Sequence, residues 1–531
     1  MRVLIFHGYL LRGTGSNVYN ASLAQALARQ GHEVHLVCQD RNAAELSWVD
    51  SVGGWEGGRL EVEEVRDAGH QGKVTVYRPD IGGLLPVYVL DRYEGFEVKT
   101  FPDLTDAELD RYLDRNVAGV RDVVAAAGEP EAALANHLIM GPAILARAGL
   151  RFAIKVHGSD ISYTVRPHPV RFVPYAREGT DAAAGILAGS SHTARALFET
   201  VPDPGLPDRT RLGPPGVDVK RFRPQPEEEA LTSLEGLAGR LAETRPDAGE
   251  RDDSFGRDGP AIAGALRAWG EGDSRVLFVG KLLVSKGVDL LAAAWPLIHR
   301  WRRSAGAENP RLVFIGFGAF EEGLRTLVDA LGRGDLEAAR EVAARGRGLE
   351  DQRRRRPPAP PPDQPLPILS GFLADPPDGY ADAALDAAGS VLIGGRLEHD
   401  EVADVMPAAH TFAMPSTWPE AFGMVPAESA ACGVPPVSAD HSGMREVAQL
   451  LADAVEPDLA RLLSFPVNPG AVTELAERLD GWLALEPERR HEAGLSLARR
   501  VDQLWSWEGV ARTVIAASGG ELEDLPRVAN G

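Results

Sequence analysis

The chain has 531 residues, 44% of them hydrophobic and 25% charged, with a formal net charge of -21. That length holds two or three ordinary domains with sizeable cores, and the acidic balance argues against broad nucleic-acid binding. With only two cysteines, Cys38 and Cys432, a disulfide scaffold or a Cys-based metal site is excluded, and a reducing, cytoplasmic setting is expected. The opening residues run straight into Gly8 and a polar loop, without the apolar core of a signal peptide. No stretch approaches the ~18–20 uninterrupted apolar residues of a membrane-spanning helix.

Residues 2–7 (RVLIFH) read as a buried parallel strand, followed by a loop with Gly8, Gly13 and Gly15. Residues 17–30 have helical spacing, with Leu23, Ala24, Leu27 and Ala28 on one face, Gly31 ends the helix, and 33–38 form the next strand. This βαβ opening marks a doubly wound α/β domain. Gly13-Thr14-Gly15 with Asp40 after the second strand imitates a dinucleotide fingerprint, but Val18 holds the third glycine position and the loop is too long for a tight first turn. Further strands are expected at 133–137, 151–157 and 185–190, the second of them closing on His157-Gly158-Ser159-Asp160.

Residues 211–222 contain Pro214-Pro215-Gly216, a stiff bend and plausible hinge. The acidic, irregular stretch 225–272 reads as an insertion with two helical patches, 227–243 and 262–269. A strand at 275–280 then leads through Lys281 and Lys286 into a helix, and a strand at 312–318 ends in a Gly-rich turn. Two cations at a strand-to-helix turn suit a diphosphate. Residues 353–356 are four arginines, followed by PPAPPP. Proline runs pack neither as helix nor as central strand, so this insertion, about 345–378, is expected to be an extended surface loop. Its arginines either contact a lipid head group or an acidic partner, giving weak peripheral membrane contact, or are simply solvated. A strand at 391–394 leads through Arg396 toward a helix at 400–409, and helices are expected at 472–485 and 488–503.

The stretch 415–447, PSTWPEAFGMVPAESAACGVPPVSADHSGMREV, carries the most chemistry. Glu420 sits in a loop ahead of a helix start at Phe422-Gly423-Met424, Pro426 fits the first turn, and Gly433 with Pro435-Pro436 stops the helix. The free N–H groups at such a start favour a phosphate or polar hydroxyls. Glu428 lies roughly 6–9 Å further along the axis.

Pro415-Ser416, Glu420, Phe422-Gly423, Glu428, Cys432-Gly433, Pro435, Gly443 and Glu446 together resemble the E-x7-E region of the retaining GT-B glycosyltransferases of family 4, the glycosyltransferase group 1 type. The resemblance implies an α/β, GT-B fold: two Rossmann-like doubly wound parallel-sheet domains facing across a cleft. It implies a first domain over 1–212 on the acceptor side, with a C-terminal helix at about 503–520 returning to it after Trp505-Ser506-Trp507. Residues 213–272 become linker and acidic insertion, and 273–502 the nucleotide-sugar domain.

The same resemblance assigns roles. Glu420 holds sugar hydroxyls and steadies positive charge developing on the ring. Backbone N–H groups of Phe422, Gly423 and Met424 orient sugar and phosphate, and Glu428 accepts the ribose hydroxyls. Lys281, where the family usually has Arg, and Lys286 carry the diphosphate; Lys281 lacks the bidentate fork of an arginine. Arg396 follows the strand end that abuts the base. His157 touches the donor sugar from a strand's C-terminal end, and the loop holding Gly15 lies near the donor phosphates. A double-displacement enzyme needs a carboxylate nucleophile beneath the anomeric carbon; this family is thought to use front-face attack instead, a departing phosphate oxygen taking the acceptor proton. No D-x-D triplet appears in the sequence, so no metal and no cofactor are expected, only a nucleotide-diphosphate sugar as co-substrate and a carbohydrate, lipid or small-molecule hydroxyl acceptor. A sugar-nucleotide-binding protein without catalysis, or a GT-B epimerase, fits the same residues.

Overall fold

A computed structural model describes residues 1–13, 15–88, 93, 95–244, 257–350 and 363–529. The chain divides into two compact units, Met1–Gly216 with Trp505–Gly531, and Val217–Leu504.

The strands of the first unit are β1 (Arg2–Phe6), β2 (Glu33–Val37), β3 (Ser51–Glu56), β4 (Arg59–Glu64), β5 (Lys73–Tyr77), β6 (Leu84–Val87), β7 (Glu97–Thr100), β8 (Ala132–Asn136), β9 (Ala153–Val156), β10 (Gly185–Ala188) and β11 (Thr210–Leu212). Nine of them form one sheet in the order β11-β10-β9-β8-β1-β2-β5-β3-β4. Only the β3–β4 pair is antiparallel, and β6 with β7 makes a separate parallel pair. Alternation along β1 feeds two cores: Leu4 and Phe6 point into one, Val3 and Ile5 into the other. The second core includes Leu23, Ala24, Leu27 and Ala28 of helix Gly15–Arg29, as the helical spacing requires, and Trp507, Val510, Ala511, Val514 and Ala517 of helix Trp507–Gly519. The strands β3 to β7 have no counterpart in the sequence reading. Edge strand β4, with mostly exposed RLEVEE, lacks the apolar run that marks a buried strand.

The second unit holds β12 (Ser274–Val279), β13 (Pro310–Ile315), β14 (Val391–Ile393), β15 (Thr411–Met414), β16 (Pro436–Ala439) and β17 (Ser464–Phe465). They form one sheet in the order β14-β13-β12-β15-β16-β17, with every pair parallel. The chain leaves β12 in one direction for β13 and later returns on its other side as β15. The C-terminal end of β12 is therefore a topological switch point, where open α/β sheets bind ligands.

The two helical patches expected at 227–243 and 262–269 are helices, and they are packed rather than loose. Helices Glu227–Ala242 and Gly259–Gly270 pack on each other, and Trp269 is fully buried with its indole N–H donating to the Val276 carbonyl at 3.1 Å. Glu227, Glu228, Glu229 and Glu235 are exposed on the first helix, whose inner face carries Leu234, Leu237 and Leu241, and the second helix turns Ile262 and Leu266 inward. After the proline run, Pro367–Ala374 is a helix with Leu369, Phe372 and Leu373 buried, not an extended loop, because Pro367 sits in its first turn and the apolar ILSGFL follows. The four arginines and the proline run themselves lie outside the described residues. Among the described residues, no helix is long and apolar enough to cross a membrane.

Candidate active site

In the second unit, β12 ends at Val279 and a short helical turn, Val284–Lys286, precedes helix Val288–Ser304. The loop after β15 is stitched to this turn. Ser416 Oγ lies 2.9 Å from the Ser285 carbonyl, and the Thr417 N–H donates to the same oxygen at 2.9 Å. Gly287 closes the turn at φ +67°, and a Cβ there would stand 1.9 Å from the Pro415 carbonyl oxygen. Backbone meets backbone at a distance that only glycine permits.

This junction sets the central contact. Lys286 Nζ donates to Glu420 Oε1 at 2.5 Å, each side chain being about a quarter exposed. The same oxygen lies 2.8 Å from Ser416 Oγ, whose single proton is shared between Glu420 and the Ser285 carbonyl. The Glu420 N–H donates to Ser442 Oγ at 2.9 Å, and its carbonyl accepts the Gly443 N–H at 2.9 Å. His441 completes the frame, with Nε2 2.8 Å from the Ser416 carbonyl and Nδ1 3.0 Å from Ser442 Oγ. Glu420 is thus held from the turn after β12 and from the loop after β16. The sequence reading missed His441 and Ser442, although their place directly after a strand resembles that of His157.

Helix Met424–Ala431 starts just beyond, with Gly423 before it and no side chain capping its first turn. Pro426 lies in that turn, so the N–H it lacks is one the helix could not have bonded internally. Gly423 is buried and Phe422 and Met424 are half-buried. Glu428 projects from the same helix into a different environment. Its side chain is only 5% exposed, and Oε1 lies 2.7 Å from His399 Nε2. Burial opposes the imidazolium, but the Glu428 charge and hydrogen bond, with Asp400 nearby, outweigh it and raise the His399 pKa. The His399 ring also packs at a tilt against Phe222, ring centroids 5.0 Å apart. Arg396 donates to Glu398 Oε1 at 2.6 Å in the same loop, and the Lys281 ammonium lies 6.0 Å from the Phe317 ring centre. Of the predicted residues in this unit, Lys286 and Glu420 meet directly. Glu428 and Arg396 sit by the loop after β14, and Lys281 faces the turn after β13.

In the first unit, His7, His137 and His157 each follow the C-terminal end of a strand, on the neighbouring β1, β8 and β9. A polar ladder joins two of them. His157 Nε2 lies 2.9 Å from Asn136 Oδ1, Asn136 Nδ2 donates to Asn20 Oδ1 at 2.7 Å, Asn20 Nδ2 is 3.0 Å from His7 Nδ1, and His7 Nε2 is 2.9 Å from Asn17 Oδ1. Burial, with the neighbouring His137, Lys155 and His7, pushes the His157 pKa far down. Burial also lowers His7 to about 4 despite its bond to Asn17. The ladder is therefore neutral at pH 7, able to share hydroxyl hydrogen bonds but not to hold an anion by charge. Gly15, exposed, is the first residue of the helix that supplies Asn17 and Asn20. Asp40 does not offer its carboxylate to a ribose as a dinucleotide fingerprint requires: Oδ2 accepts the Leu11 N–H at 3.0 Å and Oδ1 the Asn42 N–H at 2.9 Å. Among the described residues, no group of three His, Cys, Asp or Glu is placed to hold a metal ion.

Residues 381–494 match the model of the family described as "Glycosyl transferases group 1". The second unit carries a glycosyltransferase group 1 segment. That segment runs from the helix before β14 through the Glu420 and Glu428 region into helix Pro487–Trp505. No curated protein matches the chain. Among solved structures, Anabaena Alr3699/HepE in complex with UDP and glucose is similar over 99% of this chain and 100% of its own, at 14% identity and a TM-score of 0.54. Sucrose-phosphate synthase from Thermosynechococcus elongatus aligns over 96% of both chains, at 16% identity and a TM-score of 0.52. The catalytic domain of starch synthase IV from Arabidopsis thaliana, bound to ADP and acarbose, aligns over 98% of both, at 12% identity and a TM-score of 0.52. At such identities the likeness is one of fold, α/β of the GT-B class with two Rossmann-like units, as the sequence resemblance implied.

Proposed function

We propose that this chain is a retaining glycosyltransferase that moves a sugar from a nucleotide-diphosphate donor to a hydroxyl acceptor. The observation that carries the reading is the Lys286–Glu420 pair at the switch point of the second sheet, held by Ser416 and Ser442. A cation and a carboxylate in contact at a strand end match the two charges that grow in glycosyl transfer: negative on the departing diphosphate, positive on the sugar ring. Lys286, helped by Lys281, neutralises the diphosphate. Glu420 holds sugar hydroxyls and steadies the ring. The uncapped N–H groups at the start of helix Met424–Ala431 orient the phosphate. Glu428 takes the ribose diol, and Arg396 lies toward the base. In the first unit, His157 offers a neutral imidazole to a sugar hydroxyl, the loop holding Gly15 is kept for the donor phosphates, and the strand edge with the histidine ladder serves the acceptor. The UDP and ADP named with HepE and starch synthase IV support a nucleotide-linked donor.

The reaction needs no carboxylate nucleophile if the acceptor attacks from the leaving-group face, its proton passing to the departing phosphate oxygen. Lysines and helix N–H groups do the work of a metal ion. The test is a panel of sugar nucleotides screened for thermal stabilisation, because a ligand that binds only the folded state raises its stability. Stabilising donors are then assayed for release of nucleoside diphosphate with wild type and Glu420→Gln. Binding without turnover in the wild type makes the protein a sensor and overturns the reading. An inverted anomer in the NMR spectrum of the product overturns retention alone.

A further inference from the structure

We infer that His399 is the positioning residue that fixes the Glu428 carboxylate, and through it sets a preference for ribonucleotides over 2′-deoxyribonucleotides. The inference rests on the reading of Glu428 as the ribose acceptor.

A carboxylate on a Glu side chain rotates freely about its last bond unless something holds it. A vicinal diol needs both oxygens presented in one plane, so rotation blurs the recognition. Here His399 Nε2 engages Oε1 at 2.7 Å, while among the described residues Oε2 takes no hydrogen bond. The anchor fixes the plane of the carboxylate, and Oε1 keeps a second lone pair, so both oxygens remain acceptors for a diol. The imidazole is itself held. His399 is the first residue of helix His399–Val405, whose start is fixed by a reciprocal capping box between Glu398 and Glu401. Its ring lies against Phe222, which is fully buried and whose N–H donates to the Asp218 carbonyl at 2.8 Å. Arg221, beside Phe222, pairs with Asp400, the residue after His399. The ring therefore has little freedom, and neither has the carboxylate it grips. The charged groups facing His399 are Glu428 on the neighbouring helix, Asp400 on its own, and Arg221 on the 217–222 segment. Buried Cys432, near Glu428, has its thiol pKa raised by burial and by that carboxylate, so it stays neutral.

The experiment compares ribose with deoxyribose. UDP, ADP, GDP and their 2′-deoxy counterparts are titrated calorimetrically into wild type, Glu428→Ala, His399→Ala and His399→Gln, and the best-binding base is followed. The wild type should favour the ribonucleotide by about tenfold or more, the scale of one hydrogen bond to a charged group. In Glu428→Ala the ratio should fall close to one. His399→Ala should lose most of the ratio, weakening the ribonucleotide far more than the deoxynucleotide, which still offers its 3′-hydroxyl. His399→Gln, whose amide N–H reaches toward the same oxygen, should recover part of it. A merely structural role for His399 would weaken both nucleotides alike and leave the ratio unchanged. If Glu428→Ala collapses the ratio and His399→Ala keeps it, the inference is overturned and the reading of Glu428 stands. If Glu428→Ala keeps the ratio, or none of the three ribonucleotides binds the wild type, the underlying reading fails first. Should His399→Ala not fold, His399→Asn, too short to reach Oε1, is read in the same way.

Discussion

Lys286 and Glu420, 134 residues apart in sequence, share a hydrogen bond of 2.5 Å. The contact exists because Gly287 lets the Pro415 carbonyl approach the turn that carries Lys286. A substrate diphosphate and sugar ring drawn to this pair would separate the two charges along the bond that breaks.

The two carboxylates should fail differently when altered. Glu420→Gln should lower kcat with little change in donor affinity, because its best interaction is with charge that develops only in the transition state. Glu428→Ala should weaken binding of the nucleoside diphosphate by about 1.5–3 kcal/mol. Calorimetric titration with kinetics on both variants checks this; equal affinity losses would contradict the division of labour.

Chelation should leave the activity intact. The diphosphate is assigned to Lys286, Lys281 and the start of helix Met424–Ala431, so rates in EDTA should equal those in Mg²⁺ or Mn²⁺. Complete loss in EDTA, restored by either ion, would end the lysine-and-helix account.

Gly287→Ala should damage the site more than an average surface change. The added methyl would face the Pro415 carbonyl at 1.9 Å, in a backbone conformation at φ +67° that side chains disfavour. The loop carrying Ser416 and Glu420 must then move away from Lys286. A loss on the order of 1–3 kcal/mol in stability, with turnover falling by more than donor affinity, is the expected pattern. Unchanged turnover would show that the junction does not set the site.

Acid should destabilise the first unit through its histidines. His7 has its folded pKa lowered to about 4 by burial, against 6.5 in the unfolded chain. Below about pH 6.5 the unfolded chain takes up a proton that folded His7 refuses, so stability falls as pH drops, until the loss is complete near pH 4. The share of His7 alone is on the order of 3 kcal/mol. Urea unfolding of wild type and His7→Gln between pH 7 and 4.5 measures it: the variant should show a shallower loss, and parallel curves would rule the mechanism out.

Trp507 should be a keystone of the first unit. It packs edge-on against Tyr19, centroids 5.5 Å apart, and a Cβ on Gly216 would come within 2.5 Å of its ring. Trp507→Ala should cost about 3–5 kcal/mol. Thermal melting that left the first unit unaffected would mean that helix Trp507–Gly519 is dispensable to it.

The residues 415–447 were legible in sequence because their chemistry is local: a loop carboxylate, a proline in a first helical turn and a glycine stop are each set within a few residues. The same holds for β1, β2 and β12, whose runs of apolar residues can only be buried strands. Edge strand β4, half solvated, has no such run, and helix Pro367–Ala374 was hidden behind the proline run that precedes it. The E-x7-E resemblance named Glu428 but not His399, because only folding carries the loop after β14 to the helix after β15. Likewise, three histidines spread over residues 7–157 become one cluster only because β9, β8 and β1 are neighbours in the sheet. The sequence by itself determined which elements form and which side chains can carry charge or hydrogen bonds, since those depend on residues close along the chain. Only the tertiary structure decided which of those side chains touch, because strand order and glycine-permitted backbone contacts are properties of the packed sheet.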